Sequence, residues 1–106
     1  MARTLITVPK AAKRGEVIEI RTLIAHPMET GHRSDSEGRR LPRDILRRFV
    51  CRYGDAVVFE AELFPAISAN PYLVFTTVAV ESGTLSFTWE GDNGFAQTET
   101  AEIAVT

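Results

Sequence analysis

Cysteine is almost absent from this chain of 106 residues: Cys51 is the only one, so no disulfide can form within the chain. Long apolar runs are absent as well, and no stretch approaches the ~20 residues that a membrane-spanning helix needs. The net charge of -2 gives no general attraction to nucleic acid or to anionic membranes. Residues 1–9 lack the charged start, apolar stretch and cleavage site of a secretory signal. These absences favour one globular domain over residues 1–106, with neither nucleic acid nor membrane as a partner.

Short apolar segments separated by turn residues predict an all-β fold. In residues 16–25 the alternation is clear, because Ile18, Ile20 and Ile24 share one face while Glu19 and Arg21 share the other. Seven such strands in a chain of this length are typical of an immunoglobulin-like β-sandwich of antiparallel strands. The predicted strands are residues 5–8, 16–25, 45–53, 57–63, 71–80, 84–90 and 95–105.

The fourth of these predicted segments is expected to form a hairpin with the third. Matching their apolar faces requires a connection of about three residues, which pairs Tyr53 with Val57 and Cys51 with Phe59. The same register places Arg48 opposite Glu62, and opposite charges across two strands are favourable. A second hairpin is expected at residues 91–94, because Asn and Gly tolerate a positive φ.

The segment with the most unusual composition is residues 26–33, which opens a loop predicted over residues 26–42. It contains both histidines, His26 and His32, together with a Glu29/Arg33 pair. Long loops in a compact domain are usually functional or disordered, and recognition groups concentrate in loops held by a rigid scaffold. A second short motif, Asn70-Pro71, is typical of a turn that begins a strand. Arginines crowd into residues 39–52, which indicates a solvated or salt-bridged edge more readily than a binding patch.

Chemistry by this chain itself is weakly supported. Zinc and iron sites usually draw on three or four preorganised ligands, and the chain has only two histidines. Glu29 and either histidine could form an acid–base pair. No G-x-S-x-G motif and no Gly-rich phosphate loop accompanies them. Alternation turns Cys51 inward, where it behaves as a small hydrophobe. We therefore predict no catalytic residue, no metal and no cofactor, although an intermolecular disulfide through Cys51 remains open. The residues that could serve as metal ligands are His26, Glu29, His32, Asp35 and Cys51.

Four groups of residues, in order along the chain, carry a resemblance to a known family. They are His26-Pro27-Met28-Glu29-Thr30-Gly31-His32-Arg33, Leu41-Pro42, Asn70-Pro71-Tyr72-Leu73-Val74-Phe75, and Thr88-Trp89 followed by Asp92 and Gly94. Together they closely resemble the SoxZ family, whose members are the smaller subunits of the SoxYZ sulfur-carrier complex of bacterial thiosulfate oxidation. The resemblance covers the chain from about residue 16 to its C terminus.

The resemblance implies an immunoglobulin-like β-sandwich and a heterodimer with SoxY. In that family SoxY carries the sulfur intermediates on a cysteine in its C-terminal Gly-Gly-Cys-Gly-Gly arm. The present chain ends in residues 101–106 without such an arm, so the substrate-bearing cysteine is expected on the partner. The resemblance also implies a periplasmic location, with export together with SoxY, which accounts for the missing signal.

We therefore expect a non-catalytic subunit that stabilises SoxY and presents its arm to the other sulfur-oxidation enzymes. Cys51 is a candidate inter-subunit thiol, and Arg39, Arg40 and Arg43 are candidate contacts for an acidic partner surface or for carried sulfonate. Two alternatives are a carrier or binding subunit of a different periplasmic oxidation pathway and a small metal-dependent redox enzyme. The expected partner-binding residues are His26, Pro27, Met28, Glu29, Thr30, Gly31, Arg33, Asn70 and Pro71.

Overall fold

Alternating apolar residues fold this chain into eight strands, which a computed structural model describes over all 106 residues. No helix in the structure is long and apolar enough to cross a membrane. The strands are β1 (Thr4–Thr7), β2 (Ala11–Ala12), β3 (Val17–Ile24), β4 (Leu46–Tyr53), β5 (Ala56–Glu62), β6 (Tyr72–Val78), β7 (Gly83–Gly91) and β8 (Ala96–Val105).

The strands form two sheets, and the predicted immunoglobulin-like β-sandwich is confirmed. The small sheet has the order β1-β3-β6, and the large sheet has the order β2-β8-β7-β4-β5. All neighbours are antiparallel except β2 and β8, which are parallel. Strand β2 was not predicted, because two residues are too few to show an alternation.

The core lies between the two sheets and collects the inward side chains of both. Ile18, Ile20 and Ile24 of β3 are buried, as their alternation predicted. From the large sheet, Phe49 of β4 packs with its ring centroid 5.2 Å from that of Trp89. The rings of Phe59 and Phe75 stack at 4.2 Å, and because they come from β5 and β6 they join the two sheets directly.

The β4–β5 hairpin was predicted in part correctly. Cys51 pairs with Phe59, and Arg48 lies opposite Glu62, as expected. The predicted pairing of Tyr53 with Val57 is wrong: Tyr53 pairs with Ala56, and the register shifts between Cys51 and Arg52. A tight turn at Gly54, where φ is 59°, replaces the longer connection, and a β-bulge takes up the extra residue.

Two side-chain details of this hairpin follow from its geometry. Val57 was expected to face inward, but it is exposed because the bulge changes the alternation next to it. Arg48 forms its ion pairs with Glu60 and Glu90 rather than with the directly opposite Glu62. The long guanidinium thus reaches diagonal and next-strand carboxylates on the outer face of the large sheet.

Candidate functional site

The two motifs singled out in the sequence, residues 26–33 and Asn70-Pro71, meet in space. The backbone N–H of His26 donates to Oδ1 of Asn70 at 3.0 Å, and the N–H of Asn70 donates to the carbonyl of His26 at 2.8 Å. Asn70 has a φ of 55°, a left-handed conformation that Asn tolerates better than most residues. Pro71 is buried next to it, and its carbonyl accepts the N–H of Ile24 at 3.3 Å.

His26 supports the loop from beneath. Its side chain is 5% exposed, and Nδ1 accepts the N–H of Met28 at 3.0 Å. This bond assigns the remaining proton to Nε2, which lies 3.8 Å from Oδ1 of Asp44, beyond hydrogen-bonding distance. Burial lowers the pKa of His26 despite the nearby carboxylates of Asp44 and Asp92. The imidazole is therefore a neutral acceptor packed edge-on against Phe95.

Met28 and Glu29 anchor the loop to the segment that leads into β4. The Met28 side chain is buried, and its sulfur accepts the N–H of Leu46 at 3.3 Å. Glu29 and Asp44 exchange two backbone hydrogen bonds, each 2.8 Å long. The φ of Met28 is 49°, which is uncommon for a residue with a side chain and shows that these contacts determine the local backbone.

The outer part of the loop is held by polar contacts and a close approach. Arg33 Nη2 lies 2.6 Å from Oε1 of Glu29, and this bond, with the charge of Arg33, keeps the pKa of Glu29 below its usual range. The hydroxyl of Thr30 accepts the N–H of His32 at 3.2 Å. Gly31 has a φ of 88°, and a Cβ added there would lie 3.1 Å from Cβ of Arg43. Glycine is the residue that fits both requirements.

Asp92 lies in the β7–β8 turn and has a central role, although the sequence indicated only a hairpin turn and part of the family motif at this position. Its carboxylate accepts hydrogen bonds from Nε and Nη2 of Arg43 at 2.9 Å each and from the N–H of Ile45 at 3.1 Å. It also lies 3.2 Å from Nε of Arg47. Desolvation acts to raise its pKa, but the hydrogen bonds from Arg43 and Ile45 hold it below the ordinary value. Asp92 thus ties the end of the long loop to the start of β4.

Most arginines of residues 39–52 are paired within the chain. Arg39 contacts Asp35 and Glu37, whereas Arg43 and Arg47 share Asp92. Together with the two partners of Arg48, these pairs match the salt-bridged edge that the sequence indicated. Contacts of Arg39, Arg40 and Arg43 with carried sulfonate or an acidic partner stay a prediction.

Cys51 lies inside the core, on β4 between β5 and β7. Its side chain has no exposed area, and desolvation raises its pKa to about 12. A disulfide to another subunit would therefore require β4 to leave the core first. The other candidate ligands are not brought to it, and no group of three or more His, Cys, Asp or Glu side chains lies where it could hold a metal ion.

The sequence of this chain matches a protein family, and its fold matches solved structures. A family model described as "Sulphur oxidation protein SoxZ" matches residues 6–102. No match is found among curated proteins.

Several solved structures share the fold. A superoxide reductase (neelaredoxin) from Ignicoccus hospitalis has a TM-score of 0.74 at 17% identity, covering 99% of this chain and 82% of that one. A putative superoxide reductase from Thermotoga maritima has a TM-score of 0.74 at 16% identity, covering 97% and 85%. The sulfur carrier protein SoxY from Chlorobium limicola f. thiosulfatophilum has a TM-score of 0.69 at 13% identity, covering 97% and 78%. At these identities the likeness shows the fold alone.

Proposed function

The chain belongs to the SoxZ family of sulphur oxidation proteins, and on that premise we propose that it is the non-catalytic subunit of a SoxYZ-type carrier complex. The observation that carries this proposal is the family match over residues 6–102, nearly the whole chain. In the proposed complex, a SoxY-like partner bears the sulfur intermediates of thiosulfate oxidation on a C-terminal cysteine arm. The present chain stabilises that partner and helps to present the arm to the other enzymes of the pathway.

The state of Cys51 supports a division of labour between the two subunits. A sulfur carrier needs a thiolate that its reaction partners can reach. Cys51 has no exposed area, and its pKa of about 12 keeps it protonated at neutral pH. Covalent sulfur therefore belongs on the cysteine of the partner.

The anchoring of residues 26–33 supports a recognition role for this loop. A loop already held in one conformation loses little conformational entropy on binding. Exposure divides the residues of this loop and of Asn70-Pro71 into three groups. His26, Met28 and Pro71 are buried supports, whereas Pro27, Arg33 and Asn70 are exposed and can contact the partner. Glu29, Thr30 and Gly31 are half-buried between them.

The place of action in this proposal is the periplasm, reached by export together with the partner subunit. The resemblance of residues 26–33 and 70–75 to the family supports this placement. Fractionation of cells grown on thiosulfate, followed by immunodetection of this chain, tests it. Recovery in the cytoplasmic fraction, with the partner in the periplasm, would contradict it.

The proposed function is tested by isolating the tagged chain from its native source grown on thiosulfate. We expect a partner with a C-terminal cysteine to co-purify, and intact-mass spectra after thiosulfate turnover to show sulfur adducts on that partner. The variant Cys51→Ala should leave the adducts unchanged. Recovery of the chain without such a partner, or adducts on Cys51, would overturn the proposal.

A further inference from the structure

The outer face of the small sheet is unusually apolar. We call the outward side chains of β1, β3 and β6 the outer small-sheet face. Leu5 is 65% exposed, Tyr72 56% and Val78 44%, although a sheet face in contact with water is normally polar. The residues pair across the strands, since Leu5 lies opposite Leu23, which lies opposite Tyr72. The apolar members of this face are Leu5, Val17, Leu23, Tyr72, Val74 and Val78.

The large sheet provides an internal comparison. Its outer face is mostly polar, with hydrogen bonds between neighbours such as Thr88 and Thr98, whose hydroxyls are 2.9 Å apart. Both outer faces belong to the same chain and the same sandwich, so composition alone distinguishes them. The outward residues of the large sheet include Arg48, Arg52, Glu60, Glu62, Thr84, Ser86, Thr88, Thr98, Thr100 and Glu102.

The charges on the outer small-sheet face cancel. Glu19 and Arg21 lie two residues apart on β3, and Oε1 of Glu19 is 2.7 Å from Nε of Arg21. The other polar members of the face are Thr7 and Thr76. A face that is apolar and without net charge complements another neutral, apolar β-sheet, because two sheets pack face to face about 10 Å apart.

The size of the face indicates how much more surface a stable interface needs. Seven residues of β6 and three strands give the face about 24 Å by 14 Å, or roughly 350 Å2. A standard interface takes about 800 Å2 from each partner. Part of the remainder is available at one end of the face, where a depression of about 340 Å3 is lined by Leu5, Leu23, Ala25 and Asn70, together with Arg3 and Thr4. The depression connects the face with the anchored loop at His26.

From the apolar composition and neutrality of the outer small-sheet face, and from its continuity with the Asn70 depression, we infer that the two form the surface on which the SoxY-type carrier subunit docks, through a sheet face of its own. This inference rests on the proposed function, because the occupant is the partner named there. SoxY from Chlorobium limicola shares the β-sandwich fold at a TM-score of 0.69, so a subunit of that kind has a sheet to offer. The interface is a sheet-on-sheet contact, with the loop of residues 26–33 at its rim.

The test compares two substitutions on β-strand surfaces in the complex of full-length subunits. Val74→Arg places a charge in the apolar face, and Thr100→Arg places the same charge on the polar outer face of the large sheet. Circular dichroism and thermal unfolding of each variant alone establish that both are folded. Calorimetric titration with the purified SoxY-type subunit then measures the dissociation constant. We expect Val74→Arg to weaken binding at least tenfold and Thr100→Arg to change it less than twofold.

The outcomes separate the docking surface from the proposed function. If wild-type chain does not bind the SoxY-type subunit at all, the proposed function fails. If wild type binds and folded Val74→Arg binds equally well, the partner docks elsewhere and the present inference is overturned. A wild-type homodimer that Val74→Arg dissociates, with unchanged binding of the carrier subunit, would also overturn it by assigning the face to a second copy. Tyr72→Arg serves as the second variant if Val74→Arg does not fold.

Discussion

His26 and Asn70, 44 residues apart in sequence, close a two-bond ring, in which the N–H of His26 donates to the Asn70 side chain and the N–H of Asn70 donates to the His26 carbonyl. The ring joins the start of the long loop to the start of β6. Asn70 thereby supplies a side-chain acceptor, a backbone donor and a left-handed conformation with a φ of 55°.

Asn70→Ala removes the side-chain acceptor and imposes a strained φ on alanine. We expect the free energy of unfolding to fall by about 1–3 kcal/mol, since the partly buried N–H of His26 loses its partner and the left-handed conformation becomes costly. Urea denaturation measures the change. Asn70→Asp keeps both the acceptor oxygen and tolerance of this backbone, and is the control. Equal losses for the two variants would show that the ring does not account for the effect.

Because His26 is buried and neutral, the folded chain should lose stability in weak acid. Burial lowers its folded pKa below the ordinary value of about 6.5, so below that pH the unfolded chain takes up a proton that the folded chain does not. The contribution of neutral His26 is therefore complete above about pH 6.5 and is lost as the pH falls below it.

Unfolding curves between pH 7.5 and pH 5 check this prediction. His26→Asn retains an acceptor near the position of Nδ1 but does not titrate, so it should flatten the pH dependence in this window. His32 is exposed, and His32→Asn should leave the pH dependence of the wild type in place. A flat wild-type profile would contradict the assignment of His26 as a neutral acceptor.

Cys51 should be inert in the folded chain. Because it is fully buried and its pKa is raised to about 12, we expect no reaction with a thiol reagent at pH 8 under native conditions and one equivalent after unfolding in guanidinium chloride. The buried thiol also contributes stability that is present below the ordinary thiol pKa of about 9 and is lost as the pH rises towards 12.

The alkaline part of this prediction needs a reference, since other groups titrate there. Cys51→Ala has no thiol, so the difference between wild type and Cys51→Ala in free energy of unfolding should shrink from pH 8 to pH 10. Rapid labelling of the native wild-type thiol at pH 8 would show that β4 opens readily, and would restore the inter-subunit disulfide as a possibility.

Asp92→Asn should loosen the base of the long loop. The change keeps the size of the side chain but removes the charge that Arg43 and Arg47 share. We expect a loss of about 1–2 kcal/mol, which is below the roughly 1.5–3 kcal/mol of hydrogen bonds to charged groups because both arginines are exposed. Asp55→Asn in the exposed β4–β5 turn is the matched control. Hydrogen exchange should show faster opening at Ile45; unchanged exchange would contradict the role of Asp92.

The parts of the fold that repeat locally could be predicted from the sequence. The two-residue period of β3 identified its buried isoleucines, and the apolar faces of β4 and β5 gave the pairing of Cys51 with Phe59. The bulge after Cys51 was missed because it depends on the competition between turn geometry and register. A short turn and a long one leave the same apolar pattern in most of the hairpin.

The candidate site was only partly predictable, because its contacts are long-range. The sequence identified residues 26–33 and Asn70-Pro71 but could not show that they touch. It also could not show that Asp92 accepts hydrogen bonds from Arg43, which is 49 residues away in sequence. The outer small-sheet face was hidden for a different reason. Residues 72–78 carry apolar side chains at both odd and even positions, so periodicity does not tell which side of the strand faces water.

The exposed side of strand β6 should make the cellular lifetime of this chain depend on how much partner is present to cover it. With its outer side uncovered, the chain presents Tyr72, Val74 and Val78 to chaperones, to proteases and to other copies of itself. A partner that covers this side at a free concentration 100 times its Kd would add about 2.7 kcal/mol to the free energy of unfolding. The cellular amount of the chain should then follow the amount of the partner that covers this side.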